Sequence, residues 1–245
     1  MKTCLIRQPA GAGDILFGQK IAKRLLDTGR AVKVIWPVVD QYNYFEKYIG
    51  YPNIEFVNEN DDFPYKQIYE SDICKLYEDE ELIYIPLQYA DRSILSNPIT
   101  GNHPMYVKYE LCNNLDYSDW YKFVNVERDI DREQKLIEHL GIDLNEPYVL
   151  VNKFFGTPPN SLQVQHIQEK FDSKIIEMVD VGFDNLFDWI GVLENAKAVH
   201  TVETALCYIA ALINKQNMHI YSRNTITDFK YIRHVFPTEW SYYSL

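Results

Sequence analysis

The 245-residue chain predicts an α/β protein with parallel sheets, and two observations carry that prediction. Short apolar runs alternate with segments whose apolar residues recur at helical spacing, which is typical of βαβ units. This alternation occurs twice, on either side of a charged stretch at residues 125–146. We therefore expect two α/β halves with a cleft between them, and we place them at residues 1–140 and 141–245.

The first half begins with a strand, a glycine-bearing loop, a helix and a second strand. The strand is predicted at residues 2–7, the helix at 15–26 with Gly29 as its stop, and the second strand at 31–36. A right-handed crossover makes these two strands parallel. The remaining expected elements are a helix at 42–49, a strand at 54–57, a strand at 82–87 interrupted by Pro86, and a helix at 103–111.

The second half repeats the alternation after a connecting helix. That helix is predicted at residues 127–140, because it is charged, carries an apolar stripe and ends at Gly141. The expected strands are 148–152, 174–178, 198–200 and 218–221, and the expected helices are 186–196 and 204–213. We find no internal repeat and no low-complexity linker.

The net charge and the cysteine content indicate which kinds of partner the protein binds and which cellular compartment it occupies. A net charge of −11 weakens the case for general electrostatic binding to nucleic acid. Its four cysteines form no Cys-x-x-Cys pair, which indicates free thiols in a reducing compartment. We expect a cytoplasmic protein without a signal peptide or membrane span. The histidines show no ligand spacing, so we assign no metal.

The loop after the first strand is the first candidate site. It runs from Arg7 through Gly11 and Gly13 to Asp14, and both glycines permit a tight turn with positive φ. Ligands of open α/β sheets bind at the carboxyl ends of strands, where this loop lies. Asp14 is therefore a candidate general base for an acceptor hydroxyl, or alternatively the N-cap of the helix. The loop matches neither a dinucleotide fingerprint nor a P-loop.

The segment at residues 201–212 is the second candidate site, because its first residues read as the opening of a helix. Amides and the dipole at a helix N-terminus bind phosphate, and the hydroxyls of Thr201 and Thr204 add donors. Glu203 can accept hydrogen bonds from sugar hydroxyls. The alternative is that Thr201 caps the helix and Glu203 only complements the dipole.

Two basic residues follow strands of the second half. Lys153 comes after the strand at 148–152, and Arg223 comes after the strand at 218–221. Either cation could neutralise a phosphate at the carboxyl edge of the sheet. An ordinary surface lysine is an equally good interpretation of Lys153.

These motifs resemble the heptosyltransferase-like glycosyltransferases of family 9. Members of that family open with an apolar strand, an arginine and a loop ending in Gly-Asp, which here are Leu5-Ile6-Arg7 and Gly13-Asp14. Their second domain carries Asp-Thr-Gly-Leu-x-His-Leu-Ala-Ala, in whose place this chain has residues 203–211. The resemblance implies a GT-B fold, in which two Rossmann-like domains with parallel sheets face a central cleft.

The resemblance also implies roles for individual residues. Asp14 takes the place of the family's proposed catalytic base. Thr204, Ala205 and Leu206 take the place of the helix start whose amides hold the donor diphosphate, and Glu203 that of the acidic residue that contacts donor hydroxyls. The chain departs from the pattern because glutamate replaces aspartate at 203, alanine replaces glycine at 205 and tyrosine replaces histidine at 208.

The activity that this resemblance implies is that of an inverting, metal-independent glycosyltransferase, of hexosyl, pentosyl or heptosyl type. A nucleoside-diphosphate sugar is the donor, and no further cofactor is expected. The acceptor is a glycan, a protein or, in a bacteriophage, a hydroxymethylated DNA base; the chain is also similar to glycosyltransferases of bacteriophages. The competing hypothesis is a non-catalytic nucleotide or nucleotide-sugar binding module.

Overall fold

The computed structural model describes residues 2–89, 105–156, 163–167, 171–179, 181–183, 185–223, 235–237 and 239–244. The chain divides into two compact units, Met1–Glu127 and Arg128–Leu245. The helix Ile130–His139 lies beyond this division and belongs to the second unit, whereas the sequence boundary at 140/141 placed it in the first. In the described ranges, no helix has both the length and the apolar character that a membrane crossing requires.

The first unit is built on one sheet with helices around it. Its strands are β1 (Lys2–Ile6), β2 (Ala31–Val38), β3 (Ile54–Asn58), β4 (Tyr77–Glu78) and β5 (Leu82–Ile85). Its helices are α1 (Ala12–Asp27), α2 (Phe45–Tyr48), α3 (Lys66–Tyr69) and α4 (Val107–Glu110), with 3-10 turns at Asp40–Tyr42, Leu87–Tyr89 and Trp120–Phe123.

The strand order in this sheet is β3-β2-β1-β5-β4. The neighbours β3, β2, β1 and β5 are parallel, and β4 pairs antiparallel with β5 at the edge. The parallel pairing of β1 with β2 confirms the predicted βαβ unit. Because β2 and β3 lie on one side of β1 and β5 lies on the other, the direction of winding reverses between β1 and β5.

Close packing of α1 on the sheet explains its sequence. Gly18 faces Trp36, and a Cβ atom at Gly18 would lie 2.9 Å from the indole ring.

Strand β2 continues through Pro37, beyond the predicted end at 36, because Pro37 still pairs with Val57 of β3. The helix predicted at 103–111 is shorter, at Val107–Glu110, and residues 103–104 lie outside the described residues.

The second unit contains a parallel sheet in the order β12-β11-β10-β6-β9 and a small antiparallel pair of β7 with β8. Its strands are β6 (Tyr148–Asn152), β7 (Phe154–Phe155), β8 (Gln163–Val164), β9 (Lys174–Glu177), β10 (Ala198–Val202), β11 (Met218–Tyr221) and β12 (Ser241–Tyr243). Its helices are α5 (Ile130–His139), α6 (Ile190–Asn195) and α7 (Ala205–Leu212), with a 3-10 turn at Leu186–Trp189. The winding of this sheet reverses between β6 and β10.

A buried carboxylate fixes α5 against the turn that precedes α6. Asp188 is fully buried, and it accepts hydrogen bonds from the Arg132 guanidinium at 2.6–3.0 Å and from the Asn185 amide at 2.8 Å. The bidentate guanidinium satisfies both carboxylate oxygens, which is the geometry that a buried aspartate requires. This ion pair attaches α5 to the second unit.

We therefore expect Arg132→Met to destabilise the protein strongly. The change leaves Asp188 as a buried charge without its cation, which costs about 3 kcal/mol of unfolding free energy. Urea denaturation followed by circular dichroism measures this loss. Lys23→Met is the control, because Lys23 pairs with Asp27 on an exposed helix surface. Equal losses for the two variants would contradict the role assigned to Asp188.

Candidate functional site

Each sheet reverses its winding at one point, and the candidate residues lie there. In the first unit this point is between β1 and β5, and in the second it is between β6 and β10. At such a point the connections from the two strands leave on opposite sides, which opens a crevice at their carboxyl ends. The candidate residues at and beside these two points form one candidate half-site in each unit.

Asp14 lies in the first turn of α1, in the first half-site. The helix begins at Ala12, three residues earlier than predicted, and its N-cap is Gly11, with φ 85°. The interpretation of Asp14 as the N-cap is therefore wrong. Two features favour glycine at position 11: its φ is positive, and a Cβ atom there would collide with Oδ2 of Asp14. Gly13 lies inside the helix and does not adopt the positive φ that we expected.

A buried lysine holds the Asp14 carboxylate. Lys108 is 1% exposed, and its Nζ lies 3.1 Å from Oδ1 of Asp14. The same ammonium donates to Oε1 of Gln8 at 2.6 Å and to the Leu87 carbonyl at 3.1 Å. Gln8 follows β1 and Leu87 follows β5, so the ammonium connects the two strands at the reversal point. The ammonium is therefore held by two hydrogen bonds and one ion pair.

Tyr42 is a second neighbour of Asp14. Burial raises the pKa of Tyr42, hydrogen bonds from the Ala12 and Gly11 amides oppose that rise, and the Asp14 carboxylate adds to it. The phenol is therefore neutral at physiological pH. It lies beside Asp14 without contributing a charge.

Arg7 is directed to a different set of groups from those around Asp14. Its guanidinium donates to the Ser71 carbonyl at 2.8 Å and lies 5.0 Å from the ring centroids of both Tyr69 and Tyr89. Its backbone amide donates to Ile85 at 2.9 Å, which continues the pairing of β1 with β5. Arg7 thus holds the strand ends of the first half-site together.

Asn152 organises the second half-site. It is the last residue of β6, and its Nδ2 donates to Oγ1 of Thr201 at 3.0 Å and to Oγ1 of Thr204 at 3.3 Å. Thr201 lies in β10 and is fully buried, so its assignment to the start of the helix is wrong. The strand runs on to Val202, and Thr204 is the N-cap whose Oγ1 accepts from the Leu206 amide at 3.3 Å.

Glu203 and Arg223 form a pair beside this cap. The Nε atom of Arg223 donates to the Glu203 carbonyl at 2.7 Å and lies 3.1 Å from its carboxylate. Glu203 is 7% exposed, whereas the Arg223 side chain is 41% exposed and can reach a ligand. Ala205 and Leu206 occupy the first turn of α7, where amides have no acceptor within the helix, and the Leu206 amide is satisfied by the Thr204 cap.

Lys153 lies one strand away from this pair. It follows β6, and its Nζ pairs with Oε1 of Glu177 at the carboxyl end of β9, at 2.5 Å. The structure therefore groups Lys153 with Glu177 and groups Arg223 with Glu203. Within the described ranges, no three His, Cys, Asp or Glu side chains come together as ligands for a metal ion.

Lys108, Gln8 and Asn152 were not predicted as site residues from the sequence. Lys108 lies in a four-residue helix and meets Asp14 across 94 positions of the chain, so no local spacing points to it. Asn152 could have been found, because it is a polar residue at the end of a buried strand, next to the lysine that we did select.

We expect Gly11→Ala to destabilise the protein more than Gly29→Ala. Both glycines have positive φ, which costs alanine about 1 kcal/mol, but only at Gly11 would the new methyl group collide with Asp14. Urea denaturation of the two single variants measures the difference.

Introducing Asp14→Ala into both variants tests the cause of that difference. The excess cost at Gly11 should shrink when the carboxylate is removed. An unchanged excess would mean that Gly11 is required for backbone reasons alone.

Searches of family models and of curated proteins give no match to the sequence. Solved structures do match. The glycosyl transferase family 9 protein of Veillonella parvula aligns over 100% of this chain and 85% of its own, with a TM-score of 0.54 and 9% identity. Two Escherichia coli proteins align below a TM-score of 0.5. The heptosyltransferase WaaC with ADP has a TM-score of 0.46 and 12% identity, and the alignment covers 99% of this chain and 92% of WaaC. The iron-containing glycosyltransferase TibC has a TM-score of 0.49 and 9% identity, and the alignment covers 98% of this chain and 62% of TibC.

The likeness to the Veillonella protein extends over both units of the chain. It agrees with the two Rossmann-like units and their parallel sheets, each with a reversal point. The fold is therefore of the GT-B type, and it is shared with a family 9 glycosyltransferase.

Proposed function

We propose that the protein is a glycosyltransferase that moves a sugar from a nucleoside-diphosphate sugar to an acceptor hydroxyl. One observation carries the proposal: each unit has a set of polar side chains at the reversal point of its sheet, and the two sets differ in chemistry. The first offers a partly exposed carboxylate, Asp14, and the second offers a helix N-terminus with nearby cations. A base and a phosphate site are the two parts that metal-independent sugar transfer requires.

In the proposed reaction, Asp14 accepts the proton of the acceptor hydroxyl. The oxygen then attacks the anomeric carbon of the donor from the face opposite the diphosphate, and the bond from that carbon to the diphosphate oxygen breaks. The displacement inverts the anomeric configuration. The Asp14 side chain is 30% exposed, so one oxygen can meet a substrate while Lys108 holds the other.

The second half-site binds the nucleoside diphosphate. The Ala205 amide at the start of α7 and the helix dipole stabilise the charge that develops on the leaving diphosphate, while the Leu206 amide stays with the Thr204 cap. Arg223 and Lys153 supply cations at strand ends of the same sheet. In this proposal Glu203 accepts hydrogen bonds from donor hydroxyls, as the resemblance implies. The fold likeness and the family 9 resemblance of residues 203–211 support this assignment. Glycan, protein and hydroxymethylated DNA remain the acceptor classes to compare.

The first test is a thermal-shift panel of nucleoside diphosphates and nucleotide sugars, with and without magnesium. A ligand that binds only the folded state adds about 2.7 kcal/mol of stability at a concentration 100 times its Kd, which raises Tm. We expect one nucleoside diphosphate to raise Tm equally with and without magnesium. A panel without any shift would refute the phosphate site.

Lys153→Met localises that binding. We expect it to weaken diphosphate binding about tenfold, because a hydrogen bond to a charged phosphate is lost. Lys174→Met is the matched control, since Lys174 begins β9 at the opposite end of the same sheet and donates to the Gly141 carbonyl. Titration of the diphosphate by calorimetry measures both variants, and equal affinities for the two would place the ligand elsewhere.

Asp14→Asn separates an enzyme from a binding module. We expect release of nucleoside diphosphate from the donor, in the presence of acceptor, to fall about 10²–10⁴-fold. Donor affinity should stay within a factor of about two, because the phosphate site is unchanged. Asp27→Asn is the control, since Asp27 lies at the other end of α1. Donor binding by a wild-type protein that shows no turnover with any acceptor class would favour the binding module.

A further inference from the structure

A cavity lies in the first unit, apart from the Asp14 half-site. Its volume is about 280 Å³, and it lies between the second half of α1, strand β5 and the segment at residues 112–115. None of Asp14, Lys108, Gln8 and Leu87 lines it. Most of its wall is aliphatic, and the aliphatic residues are Ile21, Leu25, Leu76, Ile83, Ile85 and Leu115.

The charged residues that line this cavity are both arginines. Arg24 and Arg30 contribute to the lining, and both are exposed to solvent at its mouth. Arg30 pairs with Glu78 at 2.7 Å, and Glu78 also pairs with Lys2 at 2.7 Å, so two cations share one carboxylate. Within the described ranges Arg24 has no carboxylate partner; its guanidinium lies 5.2 Å from the ring centroid of Phe123. The mouth is therefore positive in a chain of net charge −11.

The wall of the cavity also contains a cysteine thiol. Cys112 lines it, and burial raises the pKa of the Cys112 thiol to about 12, against a smaller opposing effect of Arg30. The geometry is consistent with this shift, because aliphatic side chains from three elements surround the space. Apolar cavities of about 150 Å³ already bind small hydrocarbons.

We propose that this cavity binds the aliphatic chain of an anionic amphiphile, with its carboxylate or phosphate at Arg24 and Arg30. The aliphatic wall accounts for the chain, and the two guanidiniums account for the sign of the head group. Guanidinium forks pair with both carboxylates and phosphates. The site is separate from the proposed transferase reaction, because none of Asp14, Lys108, Lys153, Glu203 and Arg223 lines it.

Isothermal titration of the full chain with soluble alkyl probes tests the site. Each added methylene should tighten binding about fourfold until the cavity is full, so decanoate should bind at least tenfold tighter than hexanoate. Decyltrimethylammonium has the same chain with a cationic head, and it should bind at least tenfold weaker than decanoate. Comparison of decanoate with decyl phosphate shows which anion the mouth prefers.

Two variants and a control locate the binding. Arg24→Gln should weaken decanoate binding about tenfold, and Leu115→Trp should weaken it by occupying part of the cavity. Lys23→Gln is the control, because Lys23 is adjacent on α1 but pairs with Asp27 outside the cavity. Circular dichroism and Tm confirm that each variant is folded.

Thiol labelling gives an independent readout. Decanoate should protect Cys112 from an uncharged maleimide, whereas labelling of Cys74, which does not line the cavity, should be unchanged. Equal binding of the anionic and cationic chains, unchanged affinity in Leu115→Trp, or no protection of Cys112 would each overturn the proposal. Its failure would leave the transferase proposal untouched, since the thermal-shift panel uses nucleotides alone.

Discussion

One buried ammonium group organises the first unit. Lys108 is almost inaccessible to water, and a buried charge is tolerated only where acceptors replace its hydration. It donates to the side-chain amide oxygen of Gln8, which follows β1, and to the Leu87 carbonyl, which follows β5, and it forms an ion pair with Asp14. The requirement to satisfy this cation therefore fixes the two strand ends and the acidic side chain together. The position of Asp14 is a consequence of that requirement as much as of its own helix.

The sequence predicted most of the strands and the parallel pairing, because buried strands of parallel sheets are continuous apolar runs. It also placed Asp14 at the carboxyl end of a strand, because the loop that contains Asp14 directly follows the first predicted strand. It could not predict Lys108, because a contact across 94 residues depends on the tertiary fold. Thr201 was misassigned because a strand residue and a helix cap are both often threonine, and only the pairing of Thr201 with Ile220 and Asn152 extends β10 that far.

The cations of the second half-site are both already paired. Lys153 lies against Glu177 and Arg223 lies against Glu203, so each cation carries its own carboxylate at neighbouring strand ends. A phosphate ligand must therefore compete with these carboxylates. Such a site discriminates by charge, because a neutral sugar gains little from displacing an ion pair, whereas a diphosphate replaces one anion with another. Glu203 contributes to this competition because its carboxylate lies 3.1 Å from Nε of Arg223.

The short strand β4 has a consequence for solubility. All four residues of β5 are buried and three of them are aliphatic, and such a strand at the edge of a sheet would offer unpaired amides and carbonyls to other chains. β4 covers that border through antiparallel pairing of Tyr77 with Tyr84 and of Glu78 with Ile83. It is only two residues long and exposed, and its Glu78 forms ion pairs with Lys2 and Arg30. The first unit thus ends its sheet with a charged cover that discourages edge-to-edge aggregation between molecules.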